Sequence, residues 1–140
     1  MVNTPLLRPD VSAQLTEAMK SRILILDGAM GTAIQRNRPT EEQYRGERFA
    51  DWESAVQGNN DLLSITQPQI IAGIHREYLE AGADLIETNT FNATSISLSD
   101  YGMSDLAYEL NFASAKLARA ECDRMSEQTP HKPRYVVGAI

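Results

Sequence analysis

Ile23-Leu24-Ile25-Leu26-Asp27-Gly28-Ala29-Met30-Gly31-Thr32 is the stretch that decides the fold. Its four consecutive apolar residues, 23–26, read as a strand buried on both faces, the kind that parallel sheets contain. A carboxylate follows at the strand's end, and Gly28 and Gly31 flank the expected start of a helix near Met30. In α/β folds ligands bind at such strand-to-helix junctions. A second junction stands in Ala83-Asp84-Leu85-Ile86-Glu87-Thr88-Asn89-Thr90-Phe91, again an apolar run ending in polar residues. Two acid-tipped strands that each lead into a helix place a polar pocket at one face of a parallel sheet.

Outward from these junctions the chain alternates helix and strand. Residues 1–10 hold two prolines and no periodic pattern, and read as a loose leader. Asp10 or Ser12 can cap a helix over about 11–21, either a plug at the bottom of the fold or a frayed surface helix. Residues 36–66 form a long polar connection containing Tyr44, Phe49 and the single tryptophan, Trp52. A connection of that length is either a functional wall or lid, or a packed loop stapled by its aromatics. A helix is expected from Pro68 to about Ala81, with Ile70, Ile71, Ile74, Tyr78 and Leu79 on one face and Gly82 after its end. The second strand follows over 84–87, then a short helical piece over 93–100 and a turn at Tyr101-Gly102. Ser104 reads as the cap of a long helix reaching about Ser126, and 135–140 as a third strand. This order implies parallel pairing with right-handed crossovers. Residues 1–21 are thus a leader and helix, and 22–140 one α/β domain.

Asp27 is the first candidate for chemistry. At the tip of an apolar strand its carboxylate needs a partner, which a ligand ammonium can supply. The backbone N–H groups of Gly28, Ala29, Met30 and Gly31 open a helix and can hold a ligand carboxylate. Together they suit the two ends of a zwitterion; the alternative is that Asp27 only caps the helix. Glu87, Thr88 and Asn89 stand at the same face of the sheet, as pocket lining or as the bonds of a tight turn. Gly28 and Gly31 do not form a P-loop, because no Lys-Ser/Thr pair follows. His75 lies on the apolar stripe and reads as a packed histidine, and His131 as a solvated one. Glu121 and Arg124 read as a solvated helix face. Cys122 has no His or Cys at ligand spacing, so this chain alone cannot assemble a zinc site.

The net charge of −6 and the isoelectric point near 4.9 argue against nucleic-acid and anionic-membrane partners. No apolar run approaches the ~20 residues that span a bilayer, and no signal-peptide pattern opens the chain. One cysteine fits a reducing, cytoplasmic setting.

The segment Asp27-Gly28-Ala29-Met30-Gly31-Thr32, together with Arg45-Gly46-Glu47-Arg48-Phe49-Ala50-Asp51, Gly58-Asn59-Asn60-Asp61-Leu62-Leu63 and Glu87-Thr88-Asn89-Thr90-Phe91, resembles the amino-terminal part of the homocysteine-binding domain of cobalamin-dependent methionine synthases. The resemblance runs from about Arg22 to the chain's end, with alanine at position 29 where glycine is as frequent. It implies the first part, about three βα units, of a (β/α)8 TIM-type barrel. It also implies a methyltransferase that binds homocysteine, with Asp27, Gly28, Ala29, Met30, Gly31, Glu87, Thr88 and Asn89 at the substrate. Zinc would be held by cysteines beyond residue 140; cobalamin and methyltetrahydrofolate would be bound by other domains, and the remaining barrel half would be a partner of this segment. The expected activity is methyl transfer from methyltetrahydrofolate through cobalamin to zinc-bound homocysteine in methionine biosynthesis, with the isolated chain inactive. The alternatives are a cobalamin-independent homocysteine S-methyltransferase using betaine or an S-methyl donor, and a non-catalytic truncated fragment.

Overall fold

A computed structural model describes residues 8–139; positions 1–7 of the expected leader and Ile140 of the expected third strand lie outside the described residues. The sheet is small and parallel. Strand β1 (Leu85–Glu87) pairs with β2 (Tyr135–Val137) in the register Leu85 to Tyr135, Ile86 to Val136 and Glu87 to Val137. On the other side of β1, residues 22–27 run extended and join it through one bridge, Leu26 to Leu85. The N–H groups of Asp84 and Leu85 donate to the Ile25 carbonyl at 2.8 and 3.1 Å, and Asp27 N–H donates to the Leu85 carbonyl at 3.0 Å.

This corrects the expected first strand. Residues 23–26 lie where a strand was expected, but they are not buried on both faces: Ile23 is 83% exposed, Ile25 54% and Leu26 47%. Among the described residues nothing pairs with their outer edge or covers them. A strand's burial comes from its neighbours and not from its own apolarity, and the described residues hold two regular strands, fewer than the three strands expected.

One side chain ties the three extended segments together. Asp84, fully buried at the start of β1, accepts from both terminal nitrogens of Arg22 at 2.7 and 2.8 Å and from the Ile25 N–H at 2.9 Å. The Lys132 ammonium stands 3.6 Å away, and the Asp84 carbonyl accepts from the Tyr135 N–H at 2.9 Å. Burial pushes this carboxyl up, but the Arg22 bonds, the Ile25 N–H and the two cationic charges outweigh it and hold the group at about 2.

Helices cover the sheet as the periodicity requires. Helix α1 (Ser12–Ser21) follows Asp10, whose carboxylate accepts from the Ser12 N–H; α1 buries none of its residues and is a surface helix. Helix α2 (Met30–Asn37) follows the first junction. The 36–66 connection is largely ordered, containing α3 (Glu41–Arg45), a 3-10 turn at Asn60–Leu62 and α4 (Leu63–Thr66). Its aromatics do staple it: Phe49 meets Trp52 edge to face at 5.7 Å, and the indole N–H donates to the Tyr101 carbonyl. Arg45 donates to Glu41 and to the carbonyls of Ala50 and Ser54, while Glu41 accepts from the N–H groups of Val56 and Gln57. Gly46 is required here, because its φ is +56° and a Cβ would lie 3.1 Å from Thr66.

Helix α5 (Pro68–Glu80) buries Ile71, Ile74, His75 and Leu79, each apolar side chain contributing about 1.5–3 kcal/mol. Beyond β1 come α6 (Ser95–Leu98), two 3-10 turns, and α7 (Ala107–Gln128), which packs along α5. Ser104 is not the cap of α7; its hydroxyl donates to the Ser95 carbonyl, and α7 begins without a side-chain cap. Glu121 is a second correction. Where a solvated face was expected, Glu121 is buried between α5 and α7 and accepts from Arg76 and Arg124. Helical spacing gives a face's period but not the depth at which a neighbouring helix covers it.

Asp84→Asn is expected to destabilise the chain by roughly 1.5–3 kcal/mol, the scale of hydrogen bonds to a charged group. Because the folded carboxyl sits at about 2, below its unfolded value near 4, its contribution is complete above pH ~4 and is lost as pH falls toward 2. Denaturant melts of both proteins across that window check this; a variant melting like wild type at neutral pH would remove the clamp from its role.

Candidate functional site

Parallel pairing brings the carboxyl ends of all three extended segments to one edge of the sheet, where a pocket of about 250 Å³ opens. Asp27 and Gly28 line it from the first segment, and Met30 and Gly31 from the start of α2. Glu87, Thr88 and Asn89 line it from the end of β1, and Ala139 from beyond β2. Of the residues singled out from the sequence, only Ala29 faces elsewhere, toward the groove between α2 and α5.

Asp27 is half-buried, and its Oδ1 accepts from the Glu87 main-chain N–H at 3.0 Å. Burial raises its carboxyl most, the Glu87 N–H opposes this and the Glu87 charge adds to it, leaving the group at about 6. It does not cap α2, whose first turn has no side-chain cap. Asp27 lines the pocket together with Met30 and Gly31 of that turn, whose N–H groups no side chain caps. Ala29 precedes the helix with φ 32° and ψ 49°, left-handed geometry that an alanine adopts at a cost.

Thr88 and Asn89 are both buried and engaged within the protein. Thr88 Oγ1 lies 2.7 Å from Thr90 Oγ1 and accepts from the Ala139 N–H. Asn89 Nδ2 donates to the Asn60 carbonyl at 2.8 Å and to Ser64 Oγ at 3.2 Å, while Ser114 Oγ donates to the Asn89 carbonyl. These bonds shape the turn after β1. The Glu87 side chain is exposed at the mouth, and its link to Asp27 is through its backbone.

The far wall was not singled out as a site from the sequence. It consists of Gly58, Asn59, Asn60 and Asp61, with Phe91, Asn92 and Tyr101 closing the rim. The available signal was four polar or small residues directly before Leu62-Leu63, a position that buries an acid. Asp61 is 3% exposed, and burial, opposed by the Asn92 and Phe91 N–H groups, pushes its carboxyl to about 6. Among the described lining residues there are three acids and no base, which favours a ligand with a positively charged group.

Among the described residues no competing centre stands elsewhere. His75 is fully buried, and burial lowers its pKa to about 4, as befits a packed neutral histidine. His131 is exposed. The Cys122 thiol is buried and pushed up to about 11, mainly by that burial, which makes it inert. Among the described residues no three His, Cys, Asp or Glu side chains converge as metal ligands, and no helix is long and apolar enough to cross a membrane.

A parallel sheet with pocket-lining groups at its carboxyl edge and helices on its outer side defines an α/β fold like part of a barrel enzyme. The chain belongs to the homocysteine S-methyltransferase family, whose model matches residues 24–140. Among solved structures, the oxidised form of the homocysteine methyltransferase MmuM from Escherichia coli shares the fold, with a TM-score of 0.68 and 22% identity over 89% of this chain and 39% of that one. Its metallated form gives 0.68 and 20% over 89% and 40%. This chain thus spans about two fifths of those structures.

Ala29→Gly is expected to stabilise the chain by about 0.5–1 kcal/mol, since glycine adopts left-handed geometry without a Cβ clash but loses more backbone entropy on folding. Chemical denaturation checks it; a destabilised variant would be incompatible with the backbone described at this position.

Proposed function

We propose that residues 22–140 are the homocysteine-binding portion of a methyltransferase of the methionine synthase type. The observation that carries this reading is the pairing of the Asp27 carboxylate with the open first turn of α2 in one pocket. Homocysteine carries an ammonium, a carboxylate and a thiol. Asp27 takes the ammonium, the N–H groups around Gly28 to Gly31 take the carboxylate, and the apolar Met30 lies alongside the carbon chain. Glu87 stands at the mouth, and Thr88 and Asn89 hold the wall. The finer assignment, methionine synthase, rests on the resemblance of residues 45–51 to that type, with family membership as its foundation.

In this reading the chain's own residues bind and orient the substrate. The residues present do not fit a zinc site: His75 and Cys122 are buried in packed helices and His131 lies apart in a solvated loop. In this reading zinc would be held by cysteines other than Cys122, cobalamin and methyltetrahydrofolate by other domains, and no bond-making step is assigned to the residues described.

Asp27→Asn is expected to weaken L-homocysteine binding about ten- to hundredfold, the scale of a charge-assisted bond to an ammonium. Affinity for the wild-type chain should also fall as pH drops below about 6, because protonation removes the charge that the ammonium needs. Calorimetric titration of the folded variant, and of wild type between pH 5 and 8, tests both; equal affinities would leave Asp27 outside the site.

The 140-residue chain is further expected to hold no stoichiometric zinc, since a tight site needs three or four converging ligands. Metal analysis after zinc loading and dialysis checks this, and one retained ion per chain would contradict it.

A further inference from the structure

Two segments distant in sequence form the wall and rim of the pocket, and they are clasped by two hydrogen bonds, both donated by the turn after β1 and accepted by the 58–62 loop. From the 58–62 loop, Asp61 Oδ2 accepts from the Asn92 N–H at 2.8 Å. From the turn after β1, Asn89 Nδ2 donates to the Asn60 carbonyl at 2.8 Å. The loop is itself anchored, since Tyr44 donates its hydroxyl proton to Asn60 Oδ1 at 2.7 Å. The turn carries Phe91, which is 88% exposed and lines the pocket beside Asn92. The Asp61 carboxylate has no cationic partner among the described residues.

We infer that Asp61 is a positioning residue of this pocket, fixing the rim turn at Phe91 and Asn92 through their backbone rather than contacting the bound molecule. The inference rests on the reading of the pocket as the homocysteine site. Chemistry explains the choice of residue: a carboxylate has only acceptors, so it can serve adjacent N–H groups together, whereas an amide would turn an NH2 toward one of them. The carboxyl is held near 6 by burial, so this arrangement works against the charged form and needs the geometry of the loop to persist. Without the clasp the 90–92 turn keeps fewer bonds to the body of the protein, and the pocket loses the fixed rim that makes binding affordable in entropy.

The test compares Asp61→Ala and Asp61→Asn with wild type and with Asp27→Asn, using L-homocysteine calorimetry and amide exchange at Phe91 and Asn92. Asp61→Ala should lose exchange protection at Asn92 and bind homocysteine about tenfold more weakly, the scale of one hydrogen bond to a charged group. Asp61→Asn retains one acceptor, so it should keep the protection at Asn92, lose it at Phe91 and bind within about threefold of wild type. If Asp61→Ala does not fold, Asp61→Asn decides alone. An affinity as poor as that of Asp27→Asn with Asn92 still protected would make Asp61 a direct ligand contact and overturn the inference. Unchanged affinity in Asp61→Ala, with wild type binding, would overturn the positioning role alone. Absence of binding to wild type would overturn the homocysteine reading and the positioning role together.

Discussion

The buried Asp84 carboxylate is the interaction on which the rest of the structure depends. It accepts from Arg22 and from the Ile25 N–H, its own carbonyl takes the Tyr135 N–H, and Lys132 stands beside it. Three extended segments far apart in sequence are thereby held at their amino ends. With those ends fixed and the pairing parallel, the carboxyl ends of 22–27, β1 and β2 reach the same edge. A buried charge is costly unless its lone pairs are filled, and here the partners come from two other segments, 22–25 and 132–135. The same side chain that would be a liability alone is therefore the one that registers the sheet.

The acids at the opposite edge behave in the opposite way. Asp84 is held below its ordinary value, whereas Asp27 and Asp61 are held above theirs at about 6. A raised folded value means a stabilising effect present below pH ~4, the unfolded value, and lost as pH rises through about 6. At neutral pH both site carboxylates therefore work against folding. For Asp61 that cost is set against the backbone N–H it holds at Asn92, whereas Asp27, in a pocket lined by no base, is the acid left for a cationic group. His75 adds a separate acid sensitivity: it stays neutral down to about 4 when folded, so stability falls as pH drops below the unfolded value near 6.5.

The segment 45–51 shows how a recognisable motif can be structural in its own right. Arg45 gathers carbonyls, Gly46 supplies a left-handed turn against Thr66, and Arg48 lies over the Phe49 ring while pairing with Glu109. The effect is to hold the 36–66 connection as a fixed wall, whose far end carries Asn60 and Asp61 into the pocket. Wall and staple, the two readings open for this connection, are parts of one arrangement.

The sequence by itself determined the alternation of helix and strand, the polar edge at Asp27 and Glu87, and the family, because these are written in local pattern: apolar runs, helical spacing, glycines and a dense motif. The limits of α5 and the turn at Gly102 followed from the same signals. Only the tertiary structure decided the rest. It left Ile23 and Ile25 exposed despite their apolarity, buried Glu121 despite its charge, and sent the side chains of Thr88 and Asn89 to neighbouring loops. It also made Asp84 a clamp and Asp61 a wall, although neither was singled out from the sequence. Burial and partnership belong to pairs of segments, here separated by about 30 to 60 positions, and no local pattern records which distant backbone a carboxylate will meet.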